Sequence, residues 1–179
     1  VEDDVDHALL ARRALENSGH AATAVSGGKA AIAALARDTY DVVALDYQLP
    51  DTTGLQLLEN IRQRNPALPV VMVTASGSEQ VAVDALKKGA SDYVVKEPGY
   101  ERELARALEL SVQRARAEAA EAALRAELER RARTDSLTGL LNREEMERLL
   151  KQEIQRAGGR HLVFTFVLAD VDLFKSIND

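Results

Sequence analysis

Over residues 1–100, short β-branched runs alternate with longer stretches of helical period, and this alternation restricts the chain to few folds. The runs are Ala21–Ser26, Asp41–Asp46, Pro69–Thr74 and Ser91–Val95. Between them, apolar residues recur at helical spacing over Val5–Asn17, Gly28–Arg37, Gly54–Arg64 and Ser78–Lys88. Gly19, Asn65-Pro66 and Gly89 stand where helices should stop. Strands separated by single helices predict a parallel sheet covered on both faces, a doubly wound α/β fold. Val42-Val43-Ala44-Leu45 and Val70-Val71-Met72-Val73 are apolar on both faces, as such buried strands require. Ligands of these sheets bind beyond the C-terminal strand ends, so chemistry is sought there.

Composition narrows the chemistry. The 179 residues contain no cysteine, which excludes disulfides, cysteine-ligated zinc and thiol catalysis. A formal charge of −6 argues against broad, sequence-independent nucleic-acid binding. No apolar run approaches the ~18 residues that span a bilayer, and no signal peptide opens the chain. A cytoplasmic protein is expected. Val1 in place of an initiator Met suggests a piece of a longer chain.

The strand ends carry a coherent set of groups. Glu2-Asp3-Asp4 follows Val1, one run ends at Asp46, the next at Thr74-Ala75, and the last leads to Lys96. Any one of these acids reads as an ordinary solvated loop residue. Together they place carboxylates, a hydroxyl and an ammonium on one rim. Clustered carboxylates repel one another unless a cation is present, and all-oxygen ligands suit Mg²⁺. A carboxylate beside Mg²⁺ and a lysine can act as a nucleophile toward a phosphoryl group. The hydroxyl can then hydrogen-bond a transferring oxygen.

These stretches resemble the receiver domain of two-component response regulators. The matching segments are Val1-Glu2-Asp3-Asp4, Leu45 through Gly54, Val73-Thr74-Ala75, and Lys88 through Lys96. The resemblance implies a flavodoxin-like fold in which Asp46 accepts phosphate from a histidine kinase or phosphotransfer protein. It implies Glu2 and Asp3 as the acidic pair for Mg²⁺, with Asp3, Asp46 and the Gln48 backbone carbonyl as direct ligands. Thr74 and Lys96 match the phosphoryl-sensing positions, and Tyr93 the aromatic switch. Asp4 is then an extra acid in the first turn of its helix. Two departures stand out: Glu97 separates Lys96 from Pro98, and the family's central first strand is reduced to about Val1. The second implies leading residues before Val1.

Residues 101–134 lack Gly and Pro and are rich in Ala, Leu, Arg and Glu, which predicts one long helix. Leu104 and Leu108 share a face that completes the receiver. Beyond them Leu110, Ala117 and Leu124 recur every seven residues and Leu128 follows, a coiled-coil seam interrupted by Arg114 and Glu121. A solvated connector and a dimer stalk both fit this pattern.

At Asp135-Ser136 and Thr138-Gly139 the helix should break, and Asn142 with Glu145 predicts a new helix start. That helix should end at Gly158-Gly159, and His161–Ala169 should be a strand delivering Asp170 and Asp172. Asp135, Leu137 through Leu140, Asn142, Arg143 and the Asp170–Asp179 stretch resemble the GGDEF family of diguanylate cyclases. That resemblance implies an α+β nucleotidyl-cyclase-like fold condensing two GTP into cyclic di-GMP. By it, Asp170 and the Val171 carbonyl hold the catalytic Mg²⁺, Lys175 lies near the phosphates and Asn178 contacts guanine. The loop naming the family would follow Asp179, so this piece should be inactive as a cyclase.

The resulting expectation is a receiver over 1–100, a stalk over 101–134 and the front of a GGDEF domain over 135–179. Phosphorylation of Asp46 would control a cyclase through homodimerisation by the receiver and stalk. The alternative is a non-catalytic, phosphorylation-dependent signalling protein with a degenerate GGDEF-like segment. A DNA-binding regulator is disfavoured by charge and by the cyclase-like output. His7, His20 and His161 fall on different elements and support no catalytic role.

Overall fold

The computed structural model describes residues 1–75 and 79–160, together with Thr165 and Val167. The chain divides into two compact units, Val1–Glu121 and Ala122–Asp179. In the first, the elements run α1 (Val5–Asn17), α2 (Gly28–Arg37), β1 (Val43–Asp46), α3 (Gly54–Arg64), β2 (Val70–Ala75), α4 (Glu79–Lys87) and β3 (Asp92–Lys96). Helix α5 (Tyr100–Arg133) then runs into the second unit, which continues with α6 (Arg143–Arg160). No helix among the described residues is long and apolar enough to cross a membrane.

The three strands form a parallel sheet in the order β1-β2-β3. Alternation along β2 feeds both of its faces. Val70 and Met72 pack with Leu45, Leu57, Leu58 and Ile61 on one side. On the other side Val71, Val73 and Val94 meet Tyr100, Leu104 and Leu108 of α5. Leu45, Leu58 and Ile61 are essentially fully buried, and each such side chain contributes roughly 1.5–3 kcal/mol. Two covered faces explain why these strands are apolar throughout.

Local chemistry sets the helix bounds. The Asp4 carboxylate caps α1 by accepting from the Asp6 and His7 amides at 2.9 Å each, so it precedes the first turn rather than lying in it. Thr53 and Gln56 form a reciprocal capping box at α3. Gly89 takes a left-handed φ of +93° just after α4, a conformation that glycine adopts without a Cβ penalty.

Two expected features differ. Ala21–Ser26 is not a strand. A strand exists only through its partners, and this segment's link toward the sheet is the Glu2 amide donating to the Val25 carbonyl at 3.0 Å. On the side of β1 away from β2, the Val1 amino nitrogen donates to the Ala44 carbonyl and the Val1 carbonyl accepts from the Asp46 amide. A groove of about 660 Å³, lined by Val1, Leu15, Val25, Val43 and Leu108, lies between the segment and the sheet. Second, α6 runs through Gly158-Gly159 to Arg160. Glycine inside a helix costs about 1 kcal/mol relative to alanine and terminates nothing unless it turns left-handed. The expected strand His161–Ala169 lies outside the described residues, apart from Thr165 and Val167.

In the second unit, the turn between α5 and α6 is closed by its own side chains. Asp135 Oδ1 accepts from the Leu137 amide and from the Thr138 amide and hydroxyl. Asn142 Oδ1 accepts from the Glu145 amide, while its Nδ2 donates to the Ala132 carbonyl. Only half of a capping box forms, because the Asn142 amide donates to Arg133 and the Glu145 carboxylate pairs with Arg148.

Candidate functional site

Parallel strands bring their C-terminal ends to one rim, and the titratable groups meet there. Asp46 ends β1 and is 6% exposed. Its Oδ2 accepts from Lys96 Nζ at 2.7 Å, and the same ammonium reaches Glu2 Oε2 at 2.8 Å. Glu2, Asp3 and Asp46 each offer a carboxylate oxygen within 4.8 Å of the others. Burial pushes the Glu2 carboxyl above its usual range, against the Lys96 hydrogen bond that lowers it. Burial alone would lower Lys96, but its hydrogen bonds to Asp46 and Glu2 outweigh that and hold it above the ordinary lysine value.

These residues fit a divalent cation. The donors are hard oxygens, which suit Mg²⁺. Asp3 is exposed and Glu2 partly so, leaving an approach from solvent. Gln48 lies in the loop after β1 and pairs with Thr53 across it. The loop is folded tightly back on the strand end, with the Gly54 amide donating to the Tyr47 carbonyl at 2.7 Å.

Thr74 is 1% exposed at the end of β2, while Tyr93 of β3 is 40% exposed. The register pairs Thr74 with Val95 and Met72 with Tyr93, so Thr74 and Tyr93 belong to the same face of the sheet. Thr74, Asp46 and Lys96 thus close three adjacent strands, and Tyr93 lies further back on β3. Every peptide bond among the described residues is trans, so the Lys96-Glu97-Pro98 stretch turns without a cis bond. Instead Glu97 donates to the Val95 carbonyl and accepts from the Tyr100 amide. Asp170, Val171, Lys175 and Asn178 lie outside the described residues.

Residues 1–109 match the family described as response regulator receiver domain. The chain belongs to this family. Residues 132–179 match the family described as diguanylate cyclase, GGDEF domain. The receiver is 41% identical over 96 residues to the DNA-binding transcriptional regulator NtrC of Salmonella typhimurium, covering 54% of this chain and 20% of that protein. The response regulator protein FleR of Pseudomonas aeruginosa is 44% identical over 100 residues, with the same coverage. The chain therefore spans about a fifth of the length of these curated relatives. Among solved structures, NtrX from Brucella abortus in complex with ADP aligns with a TM-score of 0.66 at 27% identity, covering 89% of this chain and 33% of that one. The receiver domain of the Francisella response regulator 1452 aligns at 0.59 and 29%, covering 63% and 93%. The receiver fold is thus that of a two-component response regulator, a class whose phosphodonor is a kinase.

Asp51, in the loop after β1, is a functional candidate that sequence reasoning did not single out. Its carboxylate accepts from the Gly28 and Lys29 amides at 2.8 and 2.9 Å, and these hydrogen bonds hold its pKa below the usual range, Lys29 contributing most. One signal was available: α2 begins at Gly27-Gly28 with no capping side chain of its own.

Proposed function

We propose that the receiver takes a phosphoryl group on Asp46 and that this event controls a diguanylate cyclase output. The observation that carries the proposal is the Asp46 carboxylate, buried at the strand end, gripped by Lys96 and gathered with Glu2 and Asp3. In the transfer, an Asp46 oxygen forms a bond to phosphorus as the bond from phosphorus to the donor imidazole nitrogen breaks. The product is an acyl phosphate, and the imidazole leaves to be reprotonated. Glu2, Asp3, Asp46 and the Gln48 carbonyl would hold Mg²⁺, which when bound supplies positive charge to the phosphoryl oxygens. Lys96, whose ammonium bridges Asp46 and Glu2, supplies a further positive charge. The Thr74 hydroxyl then hydrogen-bonds a phosphoryl oxygen, and Tyr93, on the same sheet face, changes its exposure in response.

For the output, residues 1–100 act as the receiver, 101–134 as its last helix and stalk, and 135–179 as the front of the GGDEF domain. The match over residues 132–179 supports this reading. Leu124 and Leu128, 61% and 58% exposed on α5, offer the apolar seam of a homodimer. Two stalks would bring two GTP-bearing domains together to form cyclic di-GMP. Asp170 and the Val171 carbonyl would ligate Mg²⁺ there, with Lys175 and Asn178 on the nucleotide. The DNA-binding named for NtrC belongs to that protein, of which the match covers 20%. We take this chain to act without DNA, in the cytoplasm.

The test is phosphate incorporation from a small phosphodonor with Mg²⁺. Wild type should be labelled and Asp46→Asn should not. Labelling that survives the substitution overturns the assignment.

A further inference from the structure

Helix α2 starts on two glycines. Gly27, the N-cap, is extended and supplies no side chain to the first-turn amides, which normally need an acceptor. That acceptor comes from Asp51, 23 positions further along, through Oδ1 to the Gly28 amide and Oδ2 to the Lys29 amide. A carboxylate here also suits the positive end of the helix dipole. The glycines make the approach possible. A Cβ on Gly27 would come within 2.9 Å of Asp51 Oδ1, and one on Gly28 within 2.5 Å of Thr52 Cγ2. Both glycines are buried by the loop that Asp51 belongs to.

That loop spans Tyr47 to Thr53 and is pinned at three places. Its base is closed by the Gly54 amide on the Tyr47 carbonyl and by the Gln48–Thr53 bridge. Its far side is fixed to α3 by the Thr53 capping box. Its tip is fixed to α2 by Asp51. Removing the tip anchor frees the one stretch of this loop tied to a different part of the core.

We infer that Asp51 is a positioning residue for the cation site: by docking the loop on the α2 N-terminus, it fixes the Gln48 peptide, whose carbonyl the proposed function assigns to the cation. This rests on the phosphorylation reading of the rim above and deepens it. Partners that orient metal ligands from outside the coordination sphere commonly change affinity by about tenfold or more when removed.

The experiment is calorimetric Mg²⁺ titration of the full chain without phosphodonor, alongside thermal melting in the absence of Mg²⁺. Asp51→Ala removes the anchor. Gly27→Ala displaces it without deleting it, and costs nothing in backbone strain because φ there is −172°. Asp51→Asn keeps one acceptor oxygen. The expected result is a Mg²⁺ Kd raised about tenfold in Asp51→Ala and Gly27→Ala, with Asp51→Asn intermediate. An unchanged Kd in Gly27→Ala and Asp51→Asn overturns the inference, whether or not their melting temperatures fall, because capping alone then accounts for Asp51. Should Asp51→Ala not fold, those two variants decide. The Asp46→Asn labelling result is independent, so failure of the phosphorylation reading is told apart from failure of this one.

Discussion

The Lys96 ammonium donates to the Asp46 carboxylate at 2.7 Å in a rim where both side chains are largely withdrawn from water. Glu2 shares the same ammonium at 2.8 Å, so one cation holds two carboxylates from different parts of the chain. Removing it leaves buried negative charge without compensation, which costs about 3–5 kcal/mol. Lys96→Met should therefore lower stability by about that amount. Mg²⁺ should restore more stability in Lys96→Met than it adds to wild type, because the emptied rim attracts a cation more strongly. Melting curves with and without Mg²⁺ check this. A Mg²⁺-induced shift no larger in the variant than in wild type contradicts it.

Gly54 controls how closely α3 approaches the strand end. A Cβ there would lie 2.4 Å from the Asp46 carbonyl oxygen and 2.8 Å from Tyr47 Cα, both backbone atoms that cannot step aside. Gly54→Ala should destabilise the receiver by about 2–3 kcal/mol through this overpacking. It should also reduce phosphate labelling under conditions where the variant remains folded, since relief requires moving the Asp46 peptide. Urea unfolding monitored by circular dichroism measures the first effect. A wild-type midpoint would show that the backbone yields cheaply.

The reach of sequence reasoning follows the range of the interactions concerned. Helices α1, α2 and α3 were legible to the residue because period and stop signals are local, as at Gly19 and Asn65-Pro66. The convergence of Glu2, Asp46 and Lys96 was legible for a topological reason: parallel strands deliver their ends to one rim. Ala21–Ser26 has strand-like residues, but a strand is made by pairing with a neighbour, and pairing is not a local property of the segment. Gly158-Gly159 looked like a stop, yet glycine ends a helix only when the chain turns left-handed, as it does at Gly89. Asp51 escaped notice because the helix it caps lies 22 and 23 positions away.

Arg62 joins three chain segments that no strand pairing holds. Its Nε donates to the Gly89 carbonyl at 2.8 Å, and its Nη1 reaches the Pro66 and Leu68 carbonyls. Gly89 leaves room for it, since a Cβ there would stand 3.2 Å from Arg62 Nε. Arg62→Met keeps the apolar stem and strands the carbonyls, with an expected loss of about 2 kcal/mol. Arg62→Lys should recover only part of this, because its donors sit on one nitrogen and Arg62 reaches Gly89 and the Pro66 and Leu68 carbonyls from two. Equal denaturation midpoints for wild type and Arg62→Met would remove this role.

The turn between α5 and α6 should open in acid. All three donors to Asp135 converge on Oδ1, from the Leu137 amide and the Thr138 amide and hydroxyl. The Thr138 amide contributes most to holding the Asp135 carboxyl below its ordinary 3.8. A carboxyl depressed on folding adds stability above its unfolded pKa and loses it as pH falls through the folded value. The Thr138 amide resonance should therefore be unchanged at neutral pH and move toward its unfolded position only in acid, below the ordinary carboxyl range. Asp135→Asn keeps the Oδ1 acceptor without the charge, so the turn should persist and the acid transition should vanish. A Thr138 shift that is flat with pH in wild type, or an acid transition that persists in Asp135→Asn, would place the titrating group elsewhere.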